Sequence, residues 1–392
     1  MTCSKPPVKL YVYDAPGSTP APSWQTLLHS NPASKHAQCG AFLDLAERSS
    51  YRTRDPAAAD FFIVPANLEL LSKKEGGNTS TLSAWEAAMV ATMRTAGHFW
   101  DANRSRHIIC WRQCPALVWS QLGGTHLNST FPLLGNGTIK MCLHAHAPQF
   151  QRRESLHMPY YVAPTFATHG IGEEERSILS VLAGTVDATY GQRAAKMRPV
   201  LEARMSSDAR YKLLVVSKAN HLDAPGSSFH AQLEALLVRA KFQFVPPGDT
   251  MERAARDQSI AAGTVPVLFD APGTLRYRHP LSEVLDWKSF ALLFKVSYAE
   301  LRGFRTGGSS ADDFWARLNQ TVTQAAADGR WLRWRANIKA ARHLLEWTGC
   351  GVFRVAMLEL CQAHGLSGCH RASMTLVTDR HSNLGPTDLQ IG

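Results

Sequence analysis

The sequence has no run of about 18 or more apolar residues, so no transmembrane helix is legible in it. Only Met1 to Lys9 precede the first strand-like run, and no signal peptide is visible there. The expectation is a soluble protein, or one whose N-terminal anchor is missing from this sequence. Zinc-finger and RNA-binding signatures are absent, as is any long basic run, which argues against a nucleic-acid partner. There is no Asp-x-Asp run. His144-Ala-His146 and Cys361-Gln-Ala-His364 with Cys369-His370 are incomplete as ligand sets, so no metal site is expected. Long low-complexity blocks are also lacking, which excludes a disordered body.

What is present is a chain of 392 residues, 45% hydrophobic, long enough that two domains are the natural expectation. Its formal charge is +10, which favours anionic partners: a nucleotide diphosphate, an acidic polysaccharide, a membrane surface or nucleic acid. Five of the ten asparagines stand in sequons, at Asn78, Asn103, Asn128, Asn136 and Asn319, which points to the secretory pathway. The eight cysteines are Cys3, Cys39, Cys110, Cys114, Cys142, Cys350, Cys361 and Cys369. An even count permits disulfides, and Cys361 with Cys369 would close a small loop; buried reduced thiols are the alternative.

Short apolar runs alternate with helical stretches. Strands are expected at 9–14, 60–65, 107–111, 160–163, 178–182, 212–217, 242–245, 265–269 and 289–294. Helices are expected at 81–95, 191–205, 230–240, 251–262 and within 311–347. Several strands are apolar on both faces, as in a sheet covered on both sides. The alternation predicts an α/β fold with parallel sheets. The strands fall into two groups that divide near Ala167, where Gly170 and Gly172 mark a crossing. The expected division is 8–166, 167–300, a helical segment 301–370 and a tail 371–392. Two such domains would face each other across a cleft at the strands' C-terminal ends.

The most informative stretch runs from Ala240 to Val267. A strand ends in Pro246-Pro247-Gly248, and Asp249-Thr250 then opens a helix. Asp249 or Thr250 suits an N-cap. Gly248 lets the backbone approach a ligand closely. A helix N-terminus favours an anion, and Arg253 adds a full charge in its first turn. Ala255, Ser259 and Ala262 form a small-residue face, and Gly263 stops the helix before Val265-Pro-Val-Leu-Phe. The unit reads as a phosphate site, or as an ordinary strand-turn-helix.

This stretch resembles the exostosin family of glycosyltransferases (family 47). The shared pattern is an Ala-Lys-Phe strand, then Pro-x-Gly-Asp-Thr, an Arg, a Ser-Ile pair and Gly-x-Val-Pro-Val. Tyr11-Val-Tyr-Asp14, Tyr51-Arg-Thr-Arg-Asp-Pro through Pro65, Asn103-Arg-Ser-Arg-His107, Arg176-Ser-Ile-Leu with Ala183-Gly184, and Val284-Leu-Asp-Trp-Lys-Ser-Phe290 resemble further family segments in the same order. The resemblance implies a GT-B fold of two Rossmann-like domains. It implies an inverting transferase that moves a sugar from a UDP-sugar donor to a glycan or polysaccharide acceptor. The donor would sit on the C-terminal side and the acceptor on the N-terminal side, with no cofactor required. It also implies a Golgi lumenal location, and it allows a homo- or hetero-oligomer with another glycosyltransferase.

Inversion needs a base for the acceptor hydroxyl and positive charge for the leaving diphosphate. Asp14 and His107 are the candidate bases. Gly248, Asp249, Thr250, Arg253 and Arg193 are candidates for the diphosphate. Gln258 stands where the family often has an acidic residue suited to the donor ribose, and Ala254 replaces a second Arg. Glu283 would meet sugar hydroxyls, and Asp286 would do so or anchor a loop. The two departures leave a second reading, a catalytically inactive glycan- or nucleotide-binding relative.

Overall fold

The computed structural model describes residues 8–14, 37–68, 71, 79–111, 131–142, 153–162, 176–184, 197–215, 228–247, 254–270, 279–306, 309–347, 349–367 and 369. Among these residues ten strands form two five-stranded sheets. Every pairing is parallel. The first sheet runs β1 (Leu10–Val12), β2 (Phe61–Asn67), β3 (His107–Cys110), β4 (Ile139–Cys142) and β5 (Ser155–His157), in that spatial order. The second contains β6 (Ile178–Gly184), β7 (Tyr211–Val215), β8 (Ala240–Val245), β9 (Val265–Asp270) and β10 (Leu292–Lys295), ordered β10-β9-β8-β6-β7.

The helices are α1 (Gln38–Arg48), α2 (Thr79–Thr95), α3 (Phe99–Ala102), α4 (Pro132–Gly135), α5 (Met197–Met205) and α6 (Ser228–Leu237). They continue with α7 (Ala254–Ala261), α8 (Tyr298–Thr306), α9 (Ser309–Ala327), α10 (Arg330–Ala341) and α11 (Gly351–Ala363). The expected α/β class with two parallel sheets is therefore what the chain forms.

Side-chain alternation divides the first sheet into two apolar faces. Leu10, Val12, Phe61, Ile63 and Ile108 share a core with Phe42 of α1. Phe62, Val64 and Ile109 point the other way, onto Leu82, Trp85 and Met89 of α2. Pro65 lies inside β2 and has no N–H for the ladder; the β2–β3 register shifts between Ile63 and Asn67, around that proline. Disulfide bonds join Cys39 to Cys110, tying α1 to the end of β3, and Cys361 to Cys369. The latter is the small loop the spacing allowed.

Several elements differ from the sequence expectation. No strand forms at 160–162, and Ala163 lies outside the described residues. Tyr160 gives its N–H to Asp257 (2.9 Å) and its carbonyl to the Trp347 indole (3.1 Å), so its backbone is spent on residues far along the chain. β4 and β5, at four and three residues, are too short for a periodicity to register, and Lys140 and His157 interrupt their apolar character. The helical stretch 311–347 is broken at Gly329, whose φ of 76° turns the chain between α9 and α10. The last helix, α11, packs on the first sheet: the Phe353 ring lies 5.1 Å from Phe42 and 5.5 Å from Tyr51, and His364 lies 5.1 Å from Phe61.

Arg176 explains how the base of the second sheet is closed. It is 3% exposed and stands just before β6. Its Nη1 lies within bonding distance of the Leu237 carbonyl (2.8 Å), the Ala240 carbonyl (2.6 Å) and the Thr264 hydroxyl (2.8 Å). Its Nη2 donates to the Ala262 carbonyl (3.0 Å). One planar fork thus satisfies the ends of α6 and α7 and the starts of β8 and β9. Burial, together with the charge of Arg335, lowers its pKa to about 10, which still leaves it charged at neutral pH. Arg176→Met should cost on the order of 3 kcal/mol or more, because several buried carbonyls lose their donor. Arg176→Lys should recover only a minor part of that, since an ammonium lacks the fork. Chemical denaturation of the two variants checks both statements.

Candidate donor and acceptor sites

In sequence order the second sheet is a 2-1-3-4-5 arrangement, and its direction reverses between β6 and β8. Ligands of open parallel sheets bind beyond the strand ends at such a reversal. Two features sit there. β6 ends in Gly184, whose φ of 115° is a conformation that side chains rarely adopt. β8 runs into Pro246 and Pro247, both buried. Arg198, in the first turn of α5, bridges them. Its Nε donates to the Pro247 carbonyl (3.2 Å) and its Nη2 to the Pro246 carbonyl (3.3 Å). A Cβ at Gly184 would stand 3.9 Å from its Nη1. A half-buried guanidinium is thus held at the end of β8, where the proline-glycine loop begins.

Of the expected diphosphate residues, Arg193, Gly248, Asp249, Thr250 and Arg253 lie outside the described residues. α7 begins immediately after them, at Ala254. Its small-residue face packs as anticipated: Ser259 is buried and hydrogen-bonds the Gln243 side chain of β8. Gln258 is partly exposed on this helix. Its neighbour Asp257 is only 5% exposed and points inward. A step of one residue turns a helical side chain by about 100°, which separates the two environments.

Asp286 anchors a loop. Its Oδ1 accepts from the Lys288 N–H (3.1 Å) and caps the short 3-10 turn Trp287–Ser289. Glu283 is partly buried, and its backbone N–H meets Glu359 of α11 at 3.4 Å.

The two candidate bases occupy very different places. Asp14 follows the C-terminal end of β1 and is exposed. His107 opens β3, at the opposite end of its strand, and is 0% exposed. Its Nδ1 lies 2.9 Å from the Asn103 carbonyl, so that nitrogen carries the proton. Its Nε2 then accepts from the Tyr13 hydroxyl at 2.8 Å. The imidazole stacks on Phe62 (4.8 Å between centroids) and meets the edge of Trp100 (4.8 Å). Burial lowers its pKa to about 4. Both nitrogens are engaged and the ring is sealed in an aromatic cage. This geometry is that of a core histidine, and it speaks against the base role expected from the sequence.

The exostosin GT47 domain model matches residues 4–302. The chain belongs to the exostosin GT47 family. It is accordingly a nucleotide-sugar glycosyltransferase. Comparison with curated proteins finds no match. Among solved structures, HepE of Anabaena with UDP and glucose is similar at 11% identity and a TM-score of 0.38, covering 92% of this chain and 100% of that one. A TarM variant from S. aureus, solved with UDP, fondaparinux and α-GlcNAc-glycerol, is similar at 9% identity and a TM-score of 0.35, over 87% and 59%. The kitacinnamycin glycotransferase matches at 11% identity and 0.33, over 95% and 99%.

Within this exostosin-family transferase, sequence reading missed Arg198. The signal was present: an arginine in the helix that follows a strand ending in Ala-Gly. Only the sheet order shows that its neighbours are the ends of β6 and β8. The sequence also gave no weight to Asp257, because a buried carboxylate is recognisable only when its partners are known.

His107 carries a pH signature. Its folded pKa lies below the ordinary value of 6.5, so the neutral ring stabilises the fold above pH 6.5. That contribution, roughly 3 kcal/mol, is lost as pH falls through the window from 6.5 to about 4. His107→Phe should keep the stacking, flatten this part of the stability–pH curve and retain most of the turnover of the wild type. A loss of turnover beyond about 100-fold in folded His107→Phe protein would instead restore it as the base.

Proposed function

We propose that this exostosin-family enzyme transfers a sugar with inversion from a UDP-sugar to a glycan or polysaccharide hydroxyl. The reading is supported by one observation: an arginine at the β6/β8 reversal point, Arg198, bonded to the carbonyls of Pro246 and Pro247, the residues that precede Gly248-Asp249-Thr250 in sequence. We assign the diphosphate to that segment, with Gly248, Asp249, Thr250 and Arg253 around it, and Arg198 beside Arg193 as further cations. Gln258 is assigned to the donor ribose. The acceptor hydroxyl attacks the anomeric carbon from the face opposite the diphosphate. As the new carbon–oxygen bond forms, the bond to the diphosphate oxygen breaks and its electron pair leaves with UDP. Asp14 takes the hydroxyl proton. Its exposure at a strand's C-terminal end supports it over the sealed His107. Glu283 is left for contact with sugar hydroxyls, and Asp286 for the loop.

UDP at about 100 times its Kd should stabilise the folded protein by roughly 2.7 kcal/mol. Arg198→Ala and Arg253→Ala should each reduce that stabilisation, read as the thermal shift. Asp14→Asn should bind UDP normally yet lose at least about 100-fold in UDP release from a UDP-sugar with acceptor. A well-folded protein with no shift for any nucleotide would leave the non-catalytic reading, which the Gln258 and Ala254 departures motivate.

An oxidising, glycosylating lumen such as the Golgi is the proposed location. Two supports are independent: Cys39, Cys110, Cys142, Cys350, Cys361 and Cys369 are all disulfide-bonded, and the sequons are abundant. The sequons are not equivalent. Asn136 is exposed at the end of α4, beside Gly137 in a left-handed turn. Asn319 lies within α9, and its side-chain oxygen accepts from Tyr211 (2.6 Å) and Arg210 (3.1 Å). Peptide mapping of protein secreted from a eukaryotic host should find a glycan on Asn136 and none on Asn319.

A further inference from the structure

Tyr160 stands three residues past the end of β5, the last strand of the first sheet. Residues from the second half of the chain hold both its N–H and its carbonyl. The N–H donates to Asp257 Oδ2 (2.9 Å), and the carbonyl accepts from Trp347 Nε1 (3.1 Å). Asp257 is in turn paired with its neighbour Arg256. Arg256 Nε meets Oδ1 at 2.9 Å, and Arg256 Nη2 meets Oδ2 at 2.9 Å. These side chains are 1% and 3% exposed. The guanidinium carbon also lies 5.0 Å from the ring of Trp287, whose indole N–H is fixed to the Pro280 carbonyl (2.8 Å). One residue on, the Leu281 N–H donates to the His157 carbonyl of β5 (3.1 Å). Leu281 has a φ of 53°, the one positive value outside glycine among the described residues. Two routes therefore tie the second half of the chain to the exit of the first sheet, and they meet at Arg256.

A buried ion pair is a costly way to gain stability, because two charges must leave water; apolar side chains of similar volume often serve as well. What an apolar pair cannot do is offer a directed acceptor to a backbone N–H. The pair also sits on α7, the helix that starts one residue after Arg253. We propose that Arg256 and Asp257 are positioning residues, a clasp through which occupancy of the donor loop is transmitted to the Tyr160 segment. The consequence is that donor binding orders the exit of the acceptor-side sheet before transfer. This rests on the reading that UDP sits at the loop before α7.

The test is hydrogen–deuterium exchange with and without UDP, beside calorimetric titration of UDP. The wild type should show slower exchange over residues 158–162 when UDP is bound. Asp257→Asn leaves the Arg256 charge buried without its carboxylate, so the first variant is Arg256→Met with Asp257→Leu, which removes both charges and keeps an apolar core. It should bind UDP within about fivefold of the wild type and lose the UDP-dependent protection of 158–162. Its ligand-free Tyr160 amide should exchange at least about tenfold faster. UDP-dependent protection that persists in this variant overturns the proposal. If the double variant does not fold, Asp257→Asn is judged by the same two readouts. If the wild type itself binds no UDP, the donor-site reading fails, and with it the proposed transmission. Ligand-free exchange at Tyr160 then shows whether the clasp at least holds the segment.

Discussion

A parallel sheet must be buried on both faces, and every strand pairing among the described residues is parallel. That constraint explains most of the sequence's character. β2 is buried along its whole length, as is the first part of β6, so neither shows the polar alternation of a half-exposed strand. Parallel strands also need long return connections, which place the loops that follow the strands at one edge of each sheet. The Pro246-Pro247 turn, Gly184 and Arg198 are neighbours for that reason alone. The same need for cover brings α11 back from the far end of the chain to Phe42 and Tyr51.

Charge inside such a fold is tolerated where several oxygens or an opposite charge answer it. Arg176 remains cationic because four oxygens surround its fork. Arg256 and Asp257 neutralise each other, and the carboxylate still has an oxygen to give to Tyr160. His107 takes the other solution and is held neutral between a carbonyl and a hydroxyl. In each case the polar group joins segments that are distant in sequence. Position therefore matters more than net stabilisation.

The family motifs divide along the same line. Some of their residues turn out to be structural: Arg176 closes the base of a sheet, Asp286 caps a turn, and Trp287 supports a buried guanidinium. Others, Gly184 and Pro246-Pro247, stand at the C-terminal ends of β6 and β8. A motif read in one dimension does not separate residues that hold the fold from residues placed at the strand ends.

The class of fold and the two groups of strands were legible from the apolar runs and the motif order. These depend on local patterns: strand periodicity, proline and glycine punctuation, and helix caps. The short strands β4 and β5 were not legible, since three or four residues with an interior Lys or His carry no clear period. The burial of His107 was hidden too, because its cage is made by Tyr13, Phe62 and Trp100, each from a different segment. The sequence by itself determined that this is a parallel α/β transferase of the exostosin family. Only the tertiary structure decided that Arg198 meets the Pro246 and Pro247 carbonyls, that Asp257 rather than Gln258 points inward, and that Tyr160 is held instead of paired in a strand. The reason is physical: each of those outcomes depends on contacts across tens to hundreds of residues, which no local periodicity encodes.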